Sequence, residues 1–439
     1  MNKKEEKLLN IYGFVTSKYY TNWKPYLLKI LRISRSSRFQ RSTIHGVSLQ
    51  IAILRTLTEL ETAIGEQLKS GSTKHDLKVL YIQRLREIIK EIADGYAWRV
   101  LGFNRPLMRF LSQNNSPGYI GSSFSNEDLV AANISMEGNN VLIHDITNIL
   151  RIGDLTILEP NGFPHIVELK RSGKKIWTYD EYLRILKKGG ELSNQGAKIL
   201  EINSVIRNGQ ITVGSSNVKL GRAVFPVETY LKTVQEVVKR CQINESGFCE
   251  RHIDDVMFVR AIHTPRLNKQ LSVPFKKTTD KTFFSNVDTY FMKNAEVFRN
   301  KVPYSVFPFH ENDVIQILSG EIILESFINF TALKKSFESF GWKVRRIQFE
   351  TNDELNSSKE TSYKGNKLFP SDYNTSMFVL SKDGFNMEIG MEMIGVIYHD
   401  FLKPSYLHDI ASILKDISRE KRQEEYWGLN MAGEELVWK

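Results

Sequence analysis

The chain has 439 residues, of which 41% are hydrophobic and 25% charged; sixty Lys and Arg against fifty Asp and Glu leave a formal charge of +10. That balance is ordinary for globular proteins and excludes disorder over most of the length, and two cysteines exclude a disulfide-built secreted scaffold. The length predicts two to three domains, at roughly 100–200 residues each. Apolar runs fall short of the roughly 18–20 residues of a membrane span. The opening Met1-Asn-Lys-Lys-Glu-Glu lacks a signal peptide's apolar stretch, and the closing Val437-Trp438-Lys439 is not a prenylation box. The expectation is a soluble protein of the reducing cytoplasm with no membrane partner.

The charge is uneven. Residues 1–58 hold eleven bases and two acids, Glu5 and Glu6, so this head carries +9 and the rest of the chain +1. Between Lys7 and Thr58 there is no acid, and Tyr19, Tyr20, Trp23, Tyr26 and Phe39 lie among the bases. Bases neutralise phosphates and release counterions, and flat rings stack on nucleobases. Lys24, Lys29, Arg32, Arg35, Arg38 and Arg41 are therefore expected to contact nucleic acid. The competing reading is a helical segment whose bases are solvated or dock on an acidic protein.

In chain order, residues 1–125 read as mostly helical. Segment 46–69 is apolar with few breakers. In 76–101, Leu85, Ile88, Ile89, Ile92, Tyr96 and Val100 follow the spacing of one helical face. Residues 112–127 have loop composition. Strands are predicted at 141–146, 151–158 and 164–170, a helix at 192–206, a strand at 224–227, a helix at 228–240 and a strand at 257–262. Beyond 270 the pattern is mixed α and β, with clearer segments at 315–330 and 341–349, a polar loop at 351–376 and an apolar stretch at 385–402. The expected organisation is a basic helical region (1–75), a core (76–229) and an α+β C-terminal domain (230–439). A G-x-x-x-x-G-K-[ST] phosphate loop, H-E-x-x-H and G-x-S-x-G are all missing from the sequence, so nucleotide hydrolysis by this chain is not expected.

The stretch that carries chemistry runs from Arg151 to Lys170. Two strand-like runs flank Pro160-Asn161-Gly162. Pro fits the first turn position, Asn tolerates the second, and Gly suits a left-handed third, as a three-residue hairpin loop requires. That loop sets Glu159 opposite Phe163 and, counted back, Asp154 opposite Glu168 and Ile152 opposite Lys170. Opposed residues share a sheet face, so two carboxylates and an ammonium converge. A two-residue loop would instead put the acids on opposite faces. Two adjacent carboxylates call for a cation between them. A hard divalent ion, Mg²⁺ or Mn²⁺, takes oxygen ligands and commonly binds through one or two carboxylates plus substrate phosphate. Asp154 and Glu168 are the expected metal ligands, and Lys170 the residue that orients water or offsets transition-state charge. The reaction class is phosphodiester hydrolysis.

These residues resemble the PD-(D/E)XK nucleases, whose hallmark is an Asp on one strand and D/E-x-K on the next. Asp154 matches the first acid, Glu168 the second and Lys170 the lysine. The resemblance covers about residues 77–228 and implies an α/β (α+β) fold with a restriction-endonuclease-like αβββαβ core. Gly153 stands where the pattern has Pro. Some members add a helical Gln after the third strand, for which Gln195 is available, and a Glu on the first helix, for which Glu91 is available. The resemblance implies an endonuclease acting on DNA, or on RNA, in bacterial restriction, anti-phage defence or mobile-element biology, with a separate ATPase or a second copy of the chain as a partner. The competing function is a nuclease-fold subunit that binds nucleic acid or assembles without cutting.

Other features are weaker. Cys241, Cys249 and His252 are too widely spaced for a usual zinc site and read as ordinary thiols. Asp145 precedes the hairpin and reads as an exposed strand end. Arg171, Lys174, Lys175, Lys187 and Lys188 follow it and suit DNA-backbone contacts or a solvated loop. Residues 342–346 read as a basic exposed strand.

Overall fold

The computed structural model describes residues 3–36, 43–73, 76–102, 108, 111, 127–150, 152–158, 164–169, 176–208, 210–213, 216–222, 227–266, 283–286, 302–346, 376–420 and 425–430. The chain is an α+β protein. It divides into two compact units, Met1–Gln210 with Val302–Glu321, and Ile211–Lys301 with Ile322–Lys439. The basic helical region and the proposed catalytic hairpin thus belong to one unit, joined by a segment from much later in the chain. Among the described residues, no helix is long and apolar enough to cross a membrane.

The first unit opens with helices α1 (Lys3–Val15), α2 (Lys18–Arg35), α3 (Thr43–Lys69) and α4 (Leu77–Val100). Ser17 caps α2 by accepting the Tyr20 N–H at 3.1 Å. Helix α4 shows one apolar face in its sequence, yet it is buried around most of its C-terminal half, with Ile88, Ile89, Ile92, Ala93, Asp94, Gly95, Tyr96, Ala97 and Trp98 all out of water. The extra neighbours come from a 3₁₀ turn at Tyr304–Val306 and helix α9 (Glu311–Ser319). Their proximity to α4 is not legible from local periodicity.

Next come α5 (Glu127–Met136) and strands β1 (Asn140–Ile143), β2 (Leu155–Leu158), β3 (Pro164–Leu169) and β4 (Ile176–Trp177), an antiparallel sheet in that spatial order. Helices α6 (Tyr179–Lys187) and α7 (Asn194–Asn208) follow. Helix α4, strands β1 to β3 and helix α7 follow one another in the chain, with α5 before the strands and β4–α6 after them. The expected strand at 224–227 lies mostly outside the described residues. The strands that do follow α7, β5 (Gln210–Val213) and β6 (Ser216–Arg222), form a separate three-stranded sheet with β14 (Glu425–Asn430).

Side-chain amides close the edge of β1 and the part of β3 that the short β4 does not pair. On β1, buried Gln50 of α3 donates to the Val141 carbonyl at 2.7 Å and accepts the Ile143 N–H at 2.8 Å. On β3, buried Asn203 of α7 accepts the Ile166 N–H and donates to the Ile166 carbonyl, both at 2.9 Å. Each amide occupies the place of a neighbouring strand, which solves the problem of an open edge with unpaired backbone groups. The two contacts also fix where α3 and α7 lie on the sheet.

The second unit contains α8 (Leu231–Ile243), β7 (Phe248–Ile253), β8 (Met257–His263), β9 (Phe283–Asn286), β10 (Ile322–Asn329), α10 (Phe330–Ser339), β11 (Lys343–Arg346), β12 (Ser376–Lys382), β13 (Phe385–Gly390), α11 (Met391–His399) and α12 (Ser405–Glu420). One sheet has the order β7-β8-β10-β9 and another β11-β12-β13. In the first, Arg260 lies directly between Glu250 and Glu325 across three strands and stacks over Phe248 and Phe258. Cys241 is buried in α8 and Cys249 lies half-buried on β7, both as free thiols.

Replacing Asn203 with Leu keeps the volume but strands two buried backbone groups of Ile166, at about 1–3 kcal/mol each. The expected loss is about 3 kcal/mol in urea denaturation. A loss below 1 kcal/mol would show that the amide does not hold this edge.

Candidate active site

The β2–β3 hairpin pairs Leu158 with Pro164, Ile157 with His165, Thr156 with Ile166 and Leu155 with Val167. This is the register that a three-residue Pro-Asn-Gly loop requires, although the loop itself lies outside the described residues. The regular pairing stops one residue before Asp154. The Asp154 N–H donates to the Val167 carbonyl at 2.9 Å, so Asp154 and Leu155 both face Val167. The paired ladder ends there, at Leu155 and Val167. Asp154 is therefore not set squarely opposite Glu168, as a regular ladder would have it. Its carboxylate instead takes the role of a backbone acceptor: Oδ2 accepts the Leu169 N–H at 2.5 Å.

The residue before the acid explains the break. Gly153 has φ of +75°, and a Cβ there would lie 2.6 Å from Ile166 Cγ2 and 2.8 Å from the Val167 oxygen. Only glycine accepts this left-handed, close-packed position without strain. The departure from Pro at 153 thus belongs to the geometry that turns Asp154.

Two buried polar residues brace the bend from outside. His144 has one ring nitrogen 3.1 Å from the Gly153 carbonyl and the other 2.7 Å from Thr156 Oγ1, and its backbone N–H donates to the Asp154 carbonyl at 3.0 Å. Burial pulls its pKa down to about 4 against the opposing pull of the Gly153 and Ile152 backbone. Asp94 of α4 accepts from the Asn148 N–H at 2.7 Å, the Ile149 N–H at 3.3 Å and Asn148 Nδ2 at 2.9 Å. It thereby ties the β1–β2 connection to the central helix. Its pKa is raised to about 7 by burial, against the lowering effect of these donors.

Glu168 faces Trp177 across β3 and β4, and its Oε2 accepts a hydrogen bond from the Tyr182 hydroxyl. Tyr182 lies on α6, is 1% exposed, and packs against Gly196 in the first turn of α7. A capping arrangement holds α6, with Glu181 Oε2 accepting from the Thr178 N–H at 2.9 Å and the Thr178 hydroxyl at 2.5 Å. Burial raises the Tyr182 pKa above the ordinary phenol value, reinforced by the hydrogen bond to Glu168 and by the charges of Glu168 and Asp154. Both carboxylates thus act on one hydroxyl, and both are half-buried and reachable by solvent. Among the described residues, no group of three or more His, Cys, Asp and Glu is arranged to hold a metal; the arrangement is a two-carboxylate one.

The other expected site residues fall as follows. Lys170 lies outside the described residues, as do Arg171, Lys174 and Lys175. Gln195 is half-buried in the first turn of α7, next to the glycine that touches Tyr182. Glu91 lies one turn before Asp94 on α4 and acts on it electrostatically. Asp145 is half-buried after β1.

The basic head is only partly available. Lys24 pairs with Glu321 at 2.8 Å, which also receives the Tyr20 hydroxyl. Arg35 donates from all three guanidinium nitrogens to the carbonyls of Ser305, Phe307 and Phe309, and burial lowers its pKa to about 10. It closes the end of α2 onto the 304–309 turn and is spent on packing. Lys29 is exposed, and Arg32 is 71% exposed with Glu311 at 3.9 Å. Arg38, Arg41 and Phe39 lie outside the described residues. Tyr20 belongs to the core, and the Tyr26 hydroxyl bonds Thr56 of α3 at 2.8 Å. Lys187 and Lys188 are exposed at the end of α6.

Comparison with known proteins gives no match, whether to a family model, to a curated protein or to a solved structure.

His144 sets the pH prediction. The unfolded ring gains its proton near pH 6.5 and the folded one only near 4. Its contribution is therefore complete above pH 6.5 and is lost as the pH falls toward 4. Between pH 7.5 and 5, the stability of the wild type relative to His144→Gln should fall by about 2 kcal/mol. A difference that stays constant over that range would show that His144 is not held neutral.

Proposed function

We propose that this protein is a metal-dependent nuclease that hydrolyses DNA phosphodiester bonds. The observation that carries the reading is the placement of Asp154 and Glu168. Both lie at the broken end of one hairpin, each carboxylate is oriented by a hydrogen bond, and both act on a single hydroxyl. A surface hairpin with an incidental charge cluster has no need of a left-handed glycine, a carboxylate bonded to the sheet backbone or a buried tyrosine aimed at one of its acids.

Carboxylate oxygens are the donors that Mg²⁺ and Mn²⁺ prefer, and Asp154 and Glu168 would hold such an ion together with substrate phosphate. When bound, it would polarise the phosphoryl oxygen and lower the pKa of water. Lys170, two residues after Glu168, supplies the ammonium that offsets charge as water attacks phosphorus and the ester bond breaks. Gln195, in the first turn of α7, is the further polar group that would support the site. Lys29 and Arg32 on α2, with Lys187 and Lys188 on α6, supply exposed positive charge for the phosphate backbone.

A second reading is a nuclease-fold subunit that binds nucleic acid or a partner without cutting. It is favoured by the separate sheet that receives the strands after α7 and by the small number of carboxylates at the hairpin.

The full chain, incubated with Mg²⁺ or Mn²⁺ and double- or single-stranded DNA or RNA, should cleave at least one DNA substrate. Asp154→Ala and Lys170→Ala should each lower the rate at least 10³-fold, on the order of 4 kcal/mol, while the unfolding midpoint stays within a few degrees. Cleavage by the wild type in excess EDTA would overturn the metal mechanism, and silence on every substrate would favour the second reading. Charge reversal of Lys29 and Arg32 together should weaken DNA binding and flatten its salt dependence by about two counterions, as filter binding across a salt series would show.

A further inference from the structure

Tyr182 is not part of the acid–acid–lysine pattern, and its spacing from Glu168 marks no motif. Three features set it apart. Its hydroxyl donates to Glu168 Oε2. Its ring is withdrawn from solvent on a helix whose start is capped by Glu181 and Thr178. Position 196 is a glycine whose Cβ would lie 2.7 Å from Tyr182 Cε1. Helix α7 leaves room for this ring, and α6 is further tied to α7 by Arg207, which pairs with Asp180 at 3.6 Å and lies over the Tyr179 ring at 4.2 Å.

We propose that Tyr182 is the positioning residue of the divalent-cation site, fixing the orientation of the Glu168 carboxylate by a hydrogen bond from its buried hydroxyl. This rests on the nuclease reading and adds to it the residue that prepares the second acid. Asp154 has its orientation set locally, by the Leu169 N–H on the adjacent strand. Glu168 has a longer side chain and receives its set bond from another element. A carboxylate that rotates freely must be ordered when the ion binds, and a hydrogen bond made beforehand removes that cost. Partners of this kind typically change metal affinity 10–100-fold when removed.

The test is Mn²⁺ binding to the full chain, read by calorimetry and by the electron paramagnetic resonance signal of free Mn²⁺. Tyr182→Phe keeps the ring against Gly196 and removes only the hydroxyl. It should weaken Mn²⁺ binding 10–100-fold with the thermal midpoint nearly unchanged. In cleavage assays, the metal-concentration midpoint should rise while the rate at saturating metal largely recovers. In a Glu168→Gln background, where the anionic acceptor is gone, Tyr182→Phe should add less than a twofold change. Unchanged Mn²⁺ affinity in Tyr182→Phe, or an equal loss in both backgrounds, would overturn the proposal. If the wild type binds Mn²⁺ and Asp154→Ala does not, such a result sinks the role of Tyr182 alone. If the wild type binds no Mn²⁺ at millimolar concentration, the nuclease reading falls and this inference falls with it.

Discussion

The first unit is organised around the place where the β2–β3 ladder breaks. Gly153 takes a conformation that a side chain would forbid, and the next residue, Asp154, leaves the regular pairing. A continuous ladder would have spent the Leu169 N–H on a backbone carbonyl. Here a carboxylate takes that proton donor, so the acid is part of the sheet's hydrogen bonding and at the same time lies at its half-exposed end. A left-handed backbone at an interrupted ladder persists where surrounding structure determines it. His144 and Asp94 are that surrounding structure: one spans the bend from Gly153 to Thr156, and the other binds the connection that leads into it.

The same economy recurs at larger scale. Gln50 and Asn203 each use one side-chain amide to satisfy a backbone donor and a backbone acceptor on the sheet. Because an amide matches the peptide group it replaces, a helix can dock beside a strand without leaving polar groups unpaired. The position of α7 follows from the Asn203 contact, and Gly196 near the start of α7 then meets Tyr182, which reaches Glu168. The path from a buried amide to a candidate metal ligand is a chain of packed contacts within one unit.

The hairpin was legible in the sequence because its information is local. Turn chemistry at Pro160-Asn161-Gly162 and alternation in the flanking runs set the register through Leu155 and Val167. The slip at Asp154 was marked only by Gly153, which read as a substitution for Pro until its conformation was known. Tyr182 could have been noticed as a buried aromatic on a charged helix, but its partner lies across a turn that no periodicity specifies. The role of the basic head is less legible. Its charge density is plain in the composition, yet Lys24 and Arg35 are matched by Glu321 and by carbonyls of residues 305–309, almost three hundred positions away. Long-range pairing of this kind leaves no trace in the local composition.

The central claim is that Asp154 and Glu168 hold one divalent ion between them. A crystal of the full chain soaked in Mn²⁺ and measured for anomalous scattering tests it directly. The account predicts a Mn²⁺ peak coordinated by oxygens of both carboxylates, with Tyr182 still bonded to Glu168. A peak elsewhere, or two carboxylates that point apart with no ion between them at saturating Mn²⁺, would contradict it.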